Sequence, residues 1–273
     1  MTDASMVRIP GGRTLIGSDT HYPEERPARD TDVPPFRIDR TAVTNRDFAE
    51  FVAQTGWVTT AEKIATPGSL VFRMTSGPVD LHNPAYWWSF APGANWRCPD
   101  GPGTGITGLE HHPVVHIARS DAEAFAAWRG ARLPNEWEWE AACRGGLRGA
   151  AFAWGEEFRP NGELQANIWT GAFPWYFARD GEPGTCTVDA YVSNAYGLYG
   201  MIGNVWEWTS SPYAGDSCCS PTTPQQRDLT TLRGGSYLCA AEYCLRYRPA
   251  ARIGVEAGTT TGHIGFRCAR DDA

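Results

Sequence analysis

No hydrophobic period survives between Thr66 and Pro113, where Pro, Gly, Asn and Trp dominate. Neither the alternation of a half-buried strand nor the 3.6-residue stripe of a helix can be laid over that stretch. Yet Trp87, Trp88 and Trp96 make it too apolar for a solvated linker, so packed irregular loops or the rim of a cleft are expected. The same bias runs through the whole chain, with 30 Gly and 20 Pro in 273 residues, well above the roughly 33 of both types that average usage predicts. With 12 Trp as well, such a chain must build its core from large aromatic side chains carried on irregular backbone. No Ser- or Pro-rich spacer or charge run divides it, so a single domain over residues 1–273 is expected.

Regular elements are predicted only in short pieces. Residues 7–18 suggest a strand after a turn, and Pro34 to Arg40 alternates apolar and polar as a second strand does. Glu24, Glu25 and Arg26 fall in a polar loop. Thr44 caps a helix with Asp47 at its third position and Phe48, Phe51 and Val52 as its buried stripe, and Gly56 ends it. Ser120 to Glu123 reads as a capping box for a helix ending at Gly130, and Asn135 caps another that closes at Gly145. Short strands are predicted at 167–169, 188–190 and 197–199, and a last one over 262–270, paired with the N-terminal strand. Asn-X-Trp-Glu-Trp occurs at Asn135–Trp139 and again at Asn204–Trp208, with different flanks, so it is a local echo and not a repeat.

Charge narrows the function classes. The net charge of −7 with no Lys/Arg block argues against a nucleic-acid or anionic-membrane surface. No apolar run suits a signal peptide or a transmembrane helix, and a soluble, cytoplasmic, monomeric protein is expected.

The eight cysteines include Cys239 and Cys244, five positions apart. On a strand that odd offset points the two side chains to opposite faces, and on a helix it also leaves them apart. Only a bent backbone lets the sulfurs converge, and Gly234-Gly235 permits such a bend. Three readings are open on spacing alone: a disulfide, a soft-metal site suited to Cu(I), or two unrelated buried thiols. The adjacent Cys218 and Cys219 read as two loop thiols in preference to a strained vicinal bond. The six histidines give no clear ligand set: His112 and His116 have helical spacing, but Pro113 between them disfavours a helix.

Thr44-Asn45, Arg132-Leu133-Pro134-Asn135-Glu136, Gly203-Asn204-Val205-Trp206-Glu207-Trp208, Arg233-Gly234-Gly235-Ser236 and Gly265-Phe266-Arg267 occur in that order. Together they resemble the formylglycine-generating enzyme (sulfatase-modifying factor) superfamily over nearly the whole chain. The resemblance implies an α+β fold, a single-domain variant of the C-type-lectin-like fold with little regular secondary structure and many packed loops. The stretch Gly234 to Arg248 is similar to the active-site segment of the catalytic members. By that match Cys239 and Cys244 are a redox-active pair that holds Cu(I), Ser236 stands beside the oxygen site, and Tyr243 and Trp206 line it. The implied reaction converts a cysteine in a Cys-X-Pro-X-Arg stretch of an unfolded sulfatase to Cα-formylglycine, with O2 and a thiol reductant as co-substrates. Two other classes stay open: a non-catalytic lectin-like binding module, and a thiol nucleophile paired with His263.

The resemblance also implies structural Ca2+. Asn167, the Ile168 carbonyl, Asp180 and the Glu182 carbonyl match one site; the carbonyls of Gly203 and Val205 with the Glu207 carboxylate match another. Gly200 stands where relatives can carry Asn, which removes one oxygen from the second. Two bridges of vertebrate relatives fall at Cys143 with Pro249 and Ala126 with Cys268, so neither can form here. All eight cysteines are therefore expected to be reduced.

Overall fold

Pro10 and Gly11 split the first predicted strand into β1 (Met6–Ile9) and β2 (Gly12–Ile16). Gly11 has φ 70°, and a Cβ there would lie 2.6 Å from the Pro35 nitrogen and the Val33 carbonyl, so only glycine makes this turn. The computed structural model describes residues 5–213 and 229–272, which leaves Cys218 and Cys219 outside it. β2 pairs antiparallel with β3 (Arg29–Val33), and β1 pairs antiparallel with β4 (Phe36–Asp39).

The C-terminal segment divides in two. Ile264–Gly265 forms β10, and Ala269–Asp271 forms β11, which pairs with β4 with Ala269 opposite Ile38. The tail thus joins the sheet of β1, as expected, but its partner is the central strand β4.

Three helices pack beside these strands where the capping residues put them. In α1 (Asn45–Thr55) the Asp47 amide donates to Thr44 Oγ1 at 3.1 Å, and Gly56 closes the helix at φ 69°. In α4 (Glu136–Arg144) the amides of Trp137 and Glu138 donate to Asn135 Oδ1. The helix Arg119–Trp128, here α3, begins one residue before the predicted cap at Ser120. Asp121 decides this: its carboxylate accepts from the Ala118 amide, and also from the Thr60 amide at the start of the short helix α2 (Thr60–Lys63) and from the Trp57 indole. Phe48 stacks on Phe125 in the core between α1 and α3, and Phe51 and Phe266 meet these rings edge-on.

The stretch from Thr66 to Pro113 contains one hairpin that its composition hides, β5 (Gly68–Phe72) with β6 (Trp88–Pro92). Trp96 sits in the main core. Trp87 belongs to a second aromatic cluster with Phe72, Trp169 and Phe173. The remaining sheet has the order β10-β7-β8-β9, with β7 (Trp206–Pro212), β8 (Leu229–Arg233) and β9 (Arg252–Glu256). None of the short strands predicted at 167–169, 188–190 and 197–199 forms; Asn167 makes only an isolated bridge to Gly203. Buried ion pairs tie this sheet to α4: Glu140 holds both Arg144 and Arg233, and the Trp139 indole donates to Glu207 at 2.7 Å. No helix among the described residues is long and apolar enough to cross a membrane.

Candidate active site around Cys239 and Cys244

The chain leaves β8 at Arg233 and turns through Gly234 (φ 99°) and Gly235 (φ 74°). A Cβ at Gly235 would lie 2.9 Å from the Arg246 carbonyl and 3.3 Å from Cys239 Sγ, so the missing side chain is what lets the sulfur sit there. Two tight turns follow. The Cys239 amide donates to the Ser236 carbonyl, and the amides of Tyr243 and Cys244 both donate to the Ala240 carbonyl. They bring Cys239 Sγ and Cys244 Sγ to 3.4 Å, both thiols free. A disulfide needs about 2.0 Å, and two unrelated thiols would not converge. The five-residue offset is folded back on itself, as only a bent backbone allows.

The two thiols are electrostatically unequal. Burial alone would raise Cys239, but the Cys244 S–H, the Ser236 amide and hydroxyl and the Arg246 guanidinium together bring it below the usual thiol range. Cys244 is driven well above that range, first because its proton is held on Cys239 and then by burial. Within the pair, Cys239 is therefore the sulfur favoured as thiolate and Cys244 the one that favours keeping its proton.

The segment just after the pair is clamped by the loop predicted to be merely polar. Glu24 pairs with Arg246 and Glu25 with Arg248, while Tyr22 accepts from the Leu245 amide and lies 3.8 Å under the Arg246 guanidinium. Glu25 is only 4% exposed. Sequence reasoning missed this clamp. Its one signal is a pair of adjacent acids, Glu24 and Glu25, set against two arginines, Arg246 and Arg248, that are separated by one residue.

Cys239, Cys244, Ser236, Tyr243 and Trp206 all line one cavity of about 200 Å3. Its wall is aromatic: the Tyr243 ring stacks on Phe173 at 4.7 Å and meets Trp87 edge-on at 5.3 Å. His263 lines it too, with its ring 4.7 Å from that of Trp88. Burial, with His116 nearby, lowers His263 to about 3, so the imidazole is neutral. Its Nδ1 has no hydrogen-bond partner among the described residues, and the Cys239 sulfur is bonded instead to the Ser236 amide and to Cys244. A thiolate–imidazolium nucleophile has no counterpart in this arrangement. His112 and His116 point to separate partners, Thr185 and Ser69, and neither lies on a helix.

The donors at Cys239 and Cys244 are soft sulfurs, one already favoured as thiolate, and this suits Cu(I). Among the described residues no group of three or more His, Cys, Asp or Glu side chains gathers as a cage for a metal, so the two sulfurs would be the metal's side-chain ligands. The calcium residues fit less well. Asn167 and Gly203 do lie side by side. However, Asn167 Oδ1 accepts from Arg179 at 2.6 Å, and Asp180 and Glu182 are exposed. Both oxygens of Glu207 accept from Arg267, at 2.7 and 2.8 Å, and one also accepts from Trp139. Asn167 Oδ1 and both oxygens of Glu207 are thus already engaged by protein donors.

Residues 1–272 match the model of the sulfatase-modifying factor enzyme 1-like domain. The chain belongs to this family. Its members are not all catalysts by name. A Mycobacterium tuberculosis protein named formylglycine-generating enzyme is 45% identical over 97% of both chains. A Mus musculus relative, 42% identical over 98% of this chain and 86% of its own, is named inactive C-alpha-formylglycine-generating enzyme 2. Among solved structures, PvdO from Pseudomonas aeruginosa superimposes with a TM-score of 0.65 over 98% of this chain and 94% of its own, at 24% identity. The α+β architecture of small helices and short sheets is the family's C-type-lectin-like fold. Membership alone does not carry an activity.

Proposed function

We propose that this chain oxidises a cysteine within a Cys-X-Pro-X-Arg segment of an unfolded sulfatase to Cα-formylglycine, using Cu(I), O2 and a thiol reductant. The observation that carries this reading is the 3.4 Å approach of two free thiols inside an aromatic cavity. In the balanced reaction the thiomethyl group of the substrate cysteine and one O2, with two electrons and two protons from thiols, give the aldehyde, one hydrogen sulfide and one water.

Bound copper would supply a soft centre that holds the substrate sulfur as thiolate and donates electrons to oxygen. Cys239 and Cys244 would hold it as thiolates, so loading would release protons, and Cys239 is the sulfur that gives its proton up more readily. Ser236 lies against Cys239, where its amide donates to the sulfur at 3.4 Å, and its buried hydroxyl can bond to a polar group entering the cavity. Trp206 and the Tyr243–Phe173 stack exclude water from the substrate Cβ. The Glu24–Arg246 pair fixes the backbone that presents Cys244. Oxygen uptake with a Cys-X-Pro-X-Arg peptide tests this: it should require copper and cease in Cys239→Ala.

A second reading, a binding module without catalysis, is favoured by the relative named inactive. It predicts peptide binding without copper uptake, which a Cu(I) titration separates from the first.

A further inference from the structure

The loop from Asn167 to Tyr191 already contains a cation of its own. Arg179 Nη2 donates to Asn167 Oδ1 at 2.6 Å, and Nη1 donates to the Tyr191 hydroxyl at 3.2 Å. The guanidinium lies 4.9 Å from the Phe177 ring, a cation–π distance. Asn167 is 3% exposed, and its amide nitrogen is spent on the Gly184 carbonyl and on Asn204 Oδ1. Asn204 in turn holds Cys186 through both its amide and its carbonyl. Asn167 Oδ1 is thus the junction of the loop, and a positive charge is already fixed on it.

A calcium ion needs six to eight oxygens, and the buried side-chain oxygens at this corner are already engaged, Asn167 Oδ1 by Arg179 and Asn204 Oδ1 by the amides of Asn167 and Cys186. The Asp180 carboxylate is exposed. The Cys186 thiol lies close to both Asn167 and Arg179. A sulfur is not a ligand that a hard cation favours. A divalent ion on Asn167 would also meet the guanidinium within hydrogen-bond distance of the same oxygen.

We propose that Arg179 is the resident cation of this loop, and that its guanidinium takes the place of a calcium ion at Asn167. The loop is then ordered by a covalently attached charge and is indifferent to chelators. The side chain does this through a planar donor set that reaches two acceptors at once, which a lysine cannot copy.

Calcium content after EDTA treatment and re-equilibration in millimolar Ca2+, measured by elemental mass spectrometry, tests the proposal without reference to turnover. The parent and Asp180→Ala should hold the same amount of calcium, because Asp180 ligates nothing in the parent. Arg179→Ala should melt a few degrees below the parent in EDTA, regain part of that loss with calcium, and bind one calcium more. Adding Asp180→Ala to Arg179→Ala should abolish the extra ion, and Arg179→Lys should recover less stability than the parent has. Loss of one calcium from the parent on Asp180→Ala would overturn the proposal. So would an Arg179→Ala variant with unchanged melting and calcium content.

Discussion

The Glu24 carboxylate is paired with the Arg246 guanidinium, two residues beyond Cys244 and at the opposite end of the chain's sequence. Arg246 is also the positive charge that favours the thiolate form at both Cys239 and Cys244. One side chain therefore links the N-terminal loop to the protonation of the thiol pair. Replacing Arg246 with Met removes that charge, so the Cys239 thiolate is less stable and its pKa rises. Alkylation of Cys239 by iodoacetamide should then shift to higher pH and slow at pH 7. An unchanged pH profile would show that Arg246 exerts no such influence.

Glu24→Gln breaks the same pair from the other side and leaves a buried guanidinium without its counter-charge. Loss of one partner of a buried pair costs about 3–5 kcal/mol. The denaturant midpoint should fall accordingly, with a smaller loss in Glu24→Asp, which keeps the charge. Equal stability in all three proteins would contradict the clamp.

Gly235→Ala forces a side chain at φ 74° into the Arg246 carbonyl and Cys239 Sγ. Strain at such a position costs about 1–3 kcal/mol. The sulfurs must also move apart, so Cu(I) affinity should drop more than stability does. A Cu(I) competition titration alongside a melting curve separates the two effects; retained affinity would mean the sulfur has room.

His116 and His263 make stability depend on acid. Burial lowers them to about 4 and about 3, against 6.5 when unfolded. The unfolded chain thus binds more protons below pH 6.5, so stability falls as pH drops from 6.5 towards 3–4. At two pH units below 6.5 each histidine costs on the order of 2–3 kcal/mol. Denaturation midpoints at pH 7, 5.5 and 4.5 should fall progressively, and less steeply in His263→Asn. The same slope in that variant would rule His263 out as a contributor.

The six described cysteines are free, among them Cys143 and Cys268, which are fully buried with thiols raised mainly by burial. Native-state alkylation should spare these two, and denatured, reduced-cell protein should show all eight cysteines reactive. In air without copper, Cys239 and Cys244 can bridge only by closing from 3.4 Å to about 2.0 Å. That requires a local backbone shift, and it should abolish Cu(I) uptake until a reductant is added. If the bridged protein bound Cu(I) unreduced, the two-thiolate site would be wrong.

How far the sequence reveals this molecule depends on the range of the interaction. Thr44, Gly56, Asn135 and Gly145 mark their helix ends because a cap acts within four residues of itself. Ser120 misleads because Asp121 is claimed by Thr60 and Trp57, which lie some 60 positions away. β7 does alternate in sequence, Trp206-Glu207-Trp208-Thr209, but all four side chains are buried, so the alternation does not divide a core face from a solvent face and the strand does not stand out as a half-exposed one. Asn-X-Trp-Glu-Trp makes the same point, because one copy lies on α4 and the other on β7. At the site, Cys239, Cys244 and Ser236 are legible from a resemblance carried by local motifs. The clamp by Glu24 and Glu25 is not, for it joins residues more than 220 positions apart.

In the proposed function the converged thiols hold the copper at which a peptide cysteine is oxidised. Mass analysis of a Cys-X-Pro-X-Arg peptide, incubated in air with reductant and with copper-loaded parent, Cys239→Ala or Cys244→Ala, tests it most directly. The expected result is conversion of the cysteine side chain to an aldehyde by the parent and an unchanged peptide with either variant, all three proteins showing the same folded-state circular dichroism. Conversion by both variants, or an unchanged peptide with the copper-loaded parent, would contradict it.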